Sequence, residues 1–180
     1  MSRIGILGGS FNPPHLGHQA LCLMVLEAAP IDALWLLPTY KHFFGKELVD
    51  FDHRVDVCRR LIAPIGARAQ VLEIEREIAS EGRMLDTLEA LVARGPEHSY
   101  RLVIGADILL ETHRWHRWEE VCRLAEPLVF KRHGYPGGDL PAPPDISSTE
   151  IRERLARGAS LVPLVPYSVQ AGLEEAGLFQ

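Results

Sequence analysis

The run Gly8-Gly9-Ser10-Phe11-Asn12-Pro13-Pro14-His15-Leu16-Gly17-His18 limits what this chain can become more than any other stretch of it. Before it, Arg3-Ile4-Gly5-Ile6-Leu7 is a short apolar run with the length of a buried strand. After it, residues 19–29 carry an apolar pattern of helical length. A strand, glycines, a tight turn and a helix, in that order, bring backbone N–H groups and the positive end of a helix together, which makes an anion site. Glycine lets the backbone approach a phosphate closely. His15 and His18 are three apart and, at a helix start, face the same side.

The rest of the chain alternates strand-like and helix-like runs. Residues 32–37 read as a second strand stopped by Pro38, residues 69–74 as a third, residues 100–104 as a fourth ending at Gly105, and residues 127–131 as a fifth. Between them, Val55, Cys58, Leu61 and Ile62 recur at helical spacing, as do Leu85, Leu88, Leu91 and Val92 before Gly95-Pro96. This alternation predicts an α/β fold: a Rossmann-like, doubly wound, mostly parallel sheet with helices on both faces. The 180 residues are expected to form one domain, 1–180. The Gly- and Pro-rich stretch 133–144 is expected to be a surface loop. In such sheets a ligand sits where strand order reverses, beyond the strands' carboxyl ends. The unusual polar residues cluster just after the proposed strands.

Composition narrows the function. A formal net charge of -5 argues against a general nucleic-acid binder. No apolar run is long enough to cross a membrane. Cys22, Cys58 and Cys122 are far apart, odd in number and free of any CxxC pattern, which suits reduced core thiols and a cytoplasmic location. No basic-then-apolar leader precedes the first strand. The sequence carries no mark of oligomeric state.

Further residues carry two readings each. His15 and His18 could cap a helix, or pair on zinc, although no clear third ligand accompanies them. Ser147 with Glu150 forms a capping box, with Ile151 and Leu155 on the buried stripe. Ser147, Ser148 and Arg152 at the same helix start also make a triphosphate clamp. Asp107 could cap a helix after the fourth strand. Trp115 could be core or an aromatic platform, and Trp118 reads as packing. Lys41, His42, Lys46 and Arg54 lie in or after the second connection, as a solvated loop or a cationic cover over phosphates, with Lys41 or Lys46 the better candidates. Arg132 follows the fifth strand closely enough to reach a triphosphate.

The first run resembles the signature of nucleotidyltransferases with a phosphate-binding His-x-Gly-His, and most of all the nicotinate (nicotinamide) mononucleotide adenylyltransferase family. Ile146-Ser147-Ser148-Thr149-Glu150-Ile151-Arg152 resembles that family's second motif, which holds the β- and γ-phosphates of ATP. The resemblance implies transfer of AMP from ATP to a pyridine mononucleotide, with pyrophosphate released and Mg²⁺ carried by the phosphates. It implies catalytic roles for His15, His18 and Arg152, and nucleotide contacts from Gly8, Gly9, Ser10, Phe11, Lys41, Lys46, Gly105, Asp107, Arg132, Ser147 and Ser148. Met84, Thr87 and Trp115 are implied on the acceptor side, with no protein-held metal.

Three stretches depart from the family pattern. Gly82-Arg83-Met84 stands where acid-selective members commonly have Ser-Tyr-Thr, Thr39-Tyr40-Lys41-His42 where Pro-Pro-His-Lys is frequent, and His116 replaces an aromatic. These leave nicotinate and nicotinamide acceptors both open. A phosphopantetheine adenylyl- or cytidylyltransferase, and a non-catalytic nucleotide sensor, are the alternatives. An NAD-dependent oxidoreductase is disfavoured, because Gly8-Gly9-Ser10 is not G-x-G-x-x-G and no acidic residue ends the second strand.

Overall fold

The computed structural model describes residues 1–41, 45 and 47–177. Five parallel strands run in the order β3-β2-β1-β4-β5: β1 (Arg3–Gly9), β2 (Ala33–Pro38), β3 (Ala69–Val71), β4 (Ser99–Gly105) and β5 (Ala125–Phe130). Helices α1 (Leu16–Ala28), α2 (Phe51–Ile62), α6 (Ser148–Ala156) and α7 (Tyr167–Glu175) share one apolar layer with Leu7, Leu34, Leu36 and Val103. Helices α3 (Ile74–Glu77), α4 (Met84–Arg94) and α5 (Trp118–Leu124) share the other with Ile4, Ile6, Leu102 and Ile104. Alternate residues of one strand thus feed opposite layers, and both faces are covered, as the unbroken apolar character of the strands requires. Each fully buried Leu, Ile or Val contributes roughly 1.5–3 kcal/mol to that packing.

The pairing pattern opens the site. β1 pairs with β2 as far as Gly9 opposite Pro38, and β4 pairs with β5 as far as Gly105 opposite Phe130. Between themselves, β1 and β4 pair only as far as Ile6 opposite Leu102. The two central strands therefore part at their carboxyl ends, at the point where strand order reverses.

Three expectations change. The third strand stops at Val71 rather than Ile74: it has β2 as its one ladder partner, and after Leu72 N–H reaches Leu36 the chain turns Ile74 into the second layer and starts α3. The fifth strand begins two residues early and tolerates Pro127 because it lies at the sheet edge. The 133–144 stretch is not wholly a surface loop. Leu140 is buried and bridges Phe130, its carbonyl accepting from Lys131 N–H, so this segment covers part of the β5 edge. No helix among the described residues is long and apolar enough to cross a membrane.

Candidate active site

The loop between β1 and α1 crosses the parted strand ends. Phe11, Asn12, Pro13, Pro14 and His15 are all buried. Phe11 takes a left-handed backbone, φ 44°, and its ring lies over Gly9, where a Cβ would come within 3.2 Å of it. Gly8 is shaped from the other side, since a Cβ there would meet the Met84 methyl at 2.8 Å.

His15 stands immediately before α1 and His18 in its first turn, with ring centroids 3.7 Å apart. The backbone N–H of His15 donates to His18 Nδ1 at 3.2 Å. That bond makes Nδ1 an acceptor, so neutral His18 carries its proton on Nε2. Burial, the neighbouring His15 and the Arg132 guanidinium hold His18 well below the usual histidine range. Burial first, then Arg132, pushes His15 down to about 4. Both rings are neutral donors at neutral pH. His15 Nδ1 is buried without a hydrogen-bond partner among the described residues. Gly17 leaves room for this ring, since a Cβ there would come 2.9 Å from the Pro144 carbonyl and 3.0 Å from His15 Nδ1.

The helix start is less bare than its sequence suggests. Leu16 N–H donates to the Leu164 carbonyl at 3.0 Å, and the His18 and Gln19 N–H groups both return to the His15 carbonyl. The C-terminal segment thus satisfies part of the helix end, and the histidine side chains replace it as donors.

The second motif docks on the first. Ser147 caps α6 by accepting from Thr149 N–H at 3.1 Å. Glu150 does not complete the expected box; it pairs instead with Arg154 at 2.8 Å, one turn on. Ser148 Oγ donates to the Pro13 carbonyl at 2.9 Å. Arg152 donates to the Asn12 carbonyl at 2.7 Å and to Thr149 Oγ1 at 3.0 Å. Ile151 is fully buried and Leu155 packs against the same layer, as their stripe predicts.

Across the parted strands, a Cβ on Gly105 would collide with Asp107 Oδ1. Asp107 does not cap a helix: it lies inside the 3₁₀ turn Ala106–Leu110, 3.5 Å from Arg132 Nε, with Oδ1 buried and free of hydrogen bonds among the described residues. Trp115 and Trp118 pack edge to face at 5.3 Å and lean on the second apolar layer, both half-buried. Met84 begins α4 against Gly8, whereas Thr87, one turn on, is fully buried with its hydroxyl near the Arg83 carbonyl. Lys41 is ion-paired to Glu81 at 2.8 Å. Lys46 and His42 lie outside the described residues.

Three residues the sequence reading undervalued sit beside this site. Arg54 is 2% exposed and donates to the Ser10 and Val49 carbonyls. Asn12 is buried and accepts from Val49 N–H at 3.3 Å. Glu75 is 4% exposed and accepts from Tyr40 N–H at 2.9 Å; burial pushes its carboxyl up to about 7. Arg54 carried a faint signal, a charge on the buried stripe of α2, while nothing local marked Glu75.

Comparison with known proteins places the chain in context. Residues 6–154 match the family model described as cytidylyltransferase-like. The chain is 44% identical to an Anaeromyxobacter sp. (strain K) protein named "Probable nicotinate-nucleotide adenylyltransferase", across 99% of this chain and 97% of that one. It is 32% identical to a Bacillus pumilus (strain SAFR-032) protein of the same name, across the full length of both. Its fold matches the Plasmodium falciparum nicotinic acid mononucleotide adenylyltransferase solved with NaAD, at a TM-score of 0.85 and 17% identity over 99% of this chain and 98% of the other. The same Plasmodium enzyme solved with APC matches at a TM-score of 0.81 and 17% identity, with the same coverage.

Proposed function

We infer the activity from one premise: the chain belongs to the cytidylyltransferase-like family and, within it, to the nicotinate-nucleotide adenylyltransferases. It is a nucleotidyltransferase that moves AMP from ATP to nicotinate mononucleotide, giving deamido-NAD and pyrophosphate, a step of NAD biosynthesis. The observation that carries the assignment to this site is the neutral, closely apposed His15–His18 pair on a loop gripped by Ser148 and Arg152.

The attacking group, a 5′-phosphate oxygen, is already ionised at neutral pH and needs no base. It attacks the α-phosphorus in line; the bond from that phosphorus to the bridging oxygen breaks, and pyrophosphate leaves with the electron pair. The protein's task is to hold two phosphates in line and to stabilise charge on the equatorial and leaving oxygens. His18 Nε2–H supplies a donor that is fixed in tautomer by the His15 N–H. His15 supplies a second, and Gly8, Gly9, Ser10 and Phe11 supply close backbone. Arg152, Arg132, the Ser147 hydroxyl and the Ser148 backbone at the start of α6 take the leaving phosphates, while the Ser148 hydroxyl stays on the Pro13 carbonyl, with Lys41 and Lys46 as further cations of the connection. Gly105 and Asp107 meet the adenosine ribose, while Trp115, with Met84, forms the acceptor side; Thr87, expected there from the sequence, is fully buried with its hydroxyl turned to the Arg83 carbonyl and does not reach it.

Mg²⁺ enters with the ATP phosphates. The described residues hold no cluster of three or more His, Cys, Asp or Glu able to grip a metal, and the side chains around the loop are donors that suit phosphate oxygen. The proposal places one nucleotidyltransferase domain, 1–180, in the cytoplasm, consistent with three free cysteines, of which Cys22 is pushed up to about 12 by burial.

The test is pyrophosphate release with ATP and Mg²⁺ on nicotinate mononucleotide and nicotinamide mononucleotide in parallel. Release is expected with the acid and much less with the amide, and EDTA abolishes it. Silence on both while ATP still binds sinks the assignment.

A further inference from the structure

Arg54 is a buried guanidinium without an ion pair among the described residues; Nε donates to the Val49 carbonyl at 2.8 Å and Nη1 to the Ser10 carbonyl at 3.0 Å. Its Cζ also lies over the Phe51 ring, 5.3 Å from the centroid. Taking a guanidinium out of water costs several kcal/mol unless its donors are used. Here they are used on backbone oxygen of the phosphate-binding loop and of the residue that Asn12 holds from the other side.

The direction of that pull matters. Arg54 of α2 draws on the Ser10 carbonyl, Arg152 of α6 on the Asn12 carbonyl and Ser148 of α6 on the Pro13 carbonyl. All three oxygens are turned toward helices of one layer. The Ser10–Phe11 peptide is trans, so its C=O and N–H point in opposite directions. Holding the Ser10 carbonyl against α2 therefore aims the Phe11 N–H away from α2. Phe11 is held in a left-handed backbone that an aromatic residue rarely adopts, and its ring meets His18 edge-on at 5.1 Å.

We propose that Arg54 is a positioning residue for the transfer reaction: by holding the Ser10 carbonyl it orients the Phe11 N–H and the Phe11–His18 ring contact for the transferring phosphate. This rests on the adenylyl-transfer reading above. A donor displaced from the transition-state oxygen stops contributing to kcat while leaving ground-state binding largely intact.

The test compares Arg54→Lys, which keeps the charge and loses the forked geometry, with Arg54→Ala, which opens onto an existing cavity. That cavity, of about 240 Å³, is lined by Phe11, Asn12, His53, Arg54, Arg152 and Leu155 among others, and gives free guanidinium a route to the vacated place. Arg54→Lys is expected to lower kcat by about 30- to 100-fold, with the KM of ATP and of nicotinate mononucleotide within about threefold. Arg54→Ala is expected to lose more, and to regain about tenfold in guanidinium well below denaturing concentration. His53→Ala, on the same cavity wall with no hold on the loop, keeps the parent kcat. The inference is overturned if Arg54→Lys turns over within about threefold of the parent. It is equally overturned if the loss equals the drop in folded protein by near-UV circular dichroism, or if guanidinium restores nothing. A parent enzyme silent on nicotinate mononucleotide removes the activity assignment instead, so the two failures are distinct.

Discussion

The two sides of the cleft are held in opposite ways. The loop between β1 and α1 is tied by bonds that span the chain: Ser148 reaches Pro13 across 135 positions, Arg152 reaches Asn12 across 140, and Arg54 reaches Ser10 across 44. The proposed acceptor side, 108–118, is held largely by its own turns. Glu111 N–H returns to Ile108, Arg114 to Glu111, Trp115 to Thr112 and Thr112 Oγ1 to Leu109, all three residues back. Leu109 and Leu110 stay 39% and 59% exposed there, while Phe11 to His15 are buried. Segments with local bonds and little burial open at low free-energy cost; segments cross-tied through the core do not. On the proposed reading, the contrast divides the tasks. Phosphate chemistry, which tolerates little misplacement, falls to the side that is built before substrate arrives. Recognition of the acceptor ring falls to the side that can adjust.

The sharpest way to break this contrast is His18→Ala. Loss of a preset donor on the rigid side should lower kcat by ~10³-fold and weaken ATP binding by less than about tenfold. Single-turnover rates beside ATP titration separate the two, and an equal loss in both would show that His18 only binds. A smaller effect is expected from Trp115→Ala on the adjustable side. Removing a stacking surface should raise the KM of nicotinate mononucleotide by about 10- to 30-fold, with the KM of ATP unmoved. A matching rise for ATP would mean that the two sides are not independent.

The smallest effect concerns Glu75, which holds Tyr40 N–H beside the rigid loop. Burial raises its carboxyl from 4.5 to about 7. Below pH 4.5 the group is protonated in both folded and unfolded chains and costs nothing. Between 4.5 and 7 the unfolded chain loses its proton first, so folding stability falls as pH rises, and the loss is complete above about 7. Glu75→Gln keeps an acceptor for Tyr40 and removes the titration. It should therefore be more stable than the parent at pH 8 by about 1 kcal/mol, after the cost of burying an amide, and no more stable near pH 4. Urea midpoints at the two pH values check this; an equal shift at both would rule out titration as the cause.

What could be read from the sequence follows the same division. The Gly8 to His18 run and the Ser147 to Arg152 run are contiguous, so their residue types alone place a loop at a helix start, and the strand alternation gives the two-faced sheet. The contacts that join the runs were not legible, because nothing local says that Arg152 meets Asn12 or that Arg54 turns inward to Ser10. Glu75 looks like any charge on a short helix until α2 and the second connection enclose it. Leu140, inside a Gly- and Pro-rich stretch, gave no hint that it would cover an edge strand. Glu150 fitted a capping box by spacing, but Arg154 one turn away competed for its carboxylate. Met84 marked a departure from the family pattern, and only the structure shows it lying on Gly8.

The Leu16 N–H bonded to the Leu164 carbonyl, and the Pro144 carbonyl beside Gly17, set an order in time. His15 and His18 leave the ribosome well before the groups that seat them are made. A nascent chain that has reached β5 owns every strand of the sheet and both histidines, but not the contacts that fix them. Synthesis thus makes every strand first, and the proposed centre is completed only after α6 and the turn at Leu164 have emerged and closed over the Gly8 to His18 run.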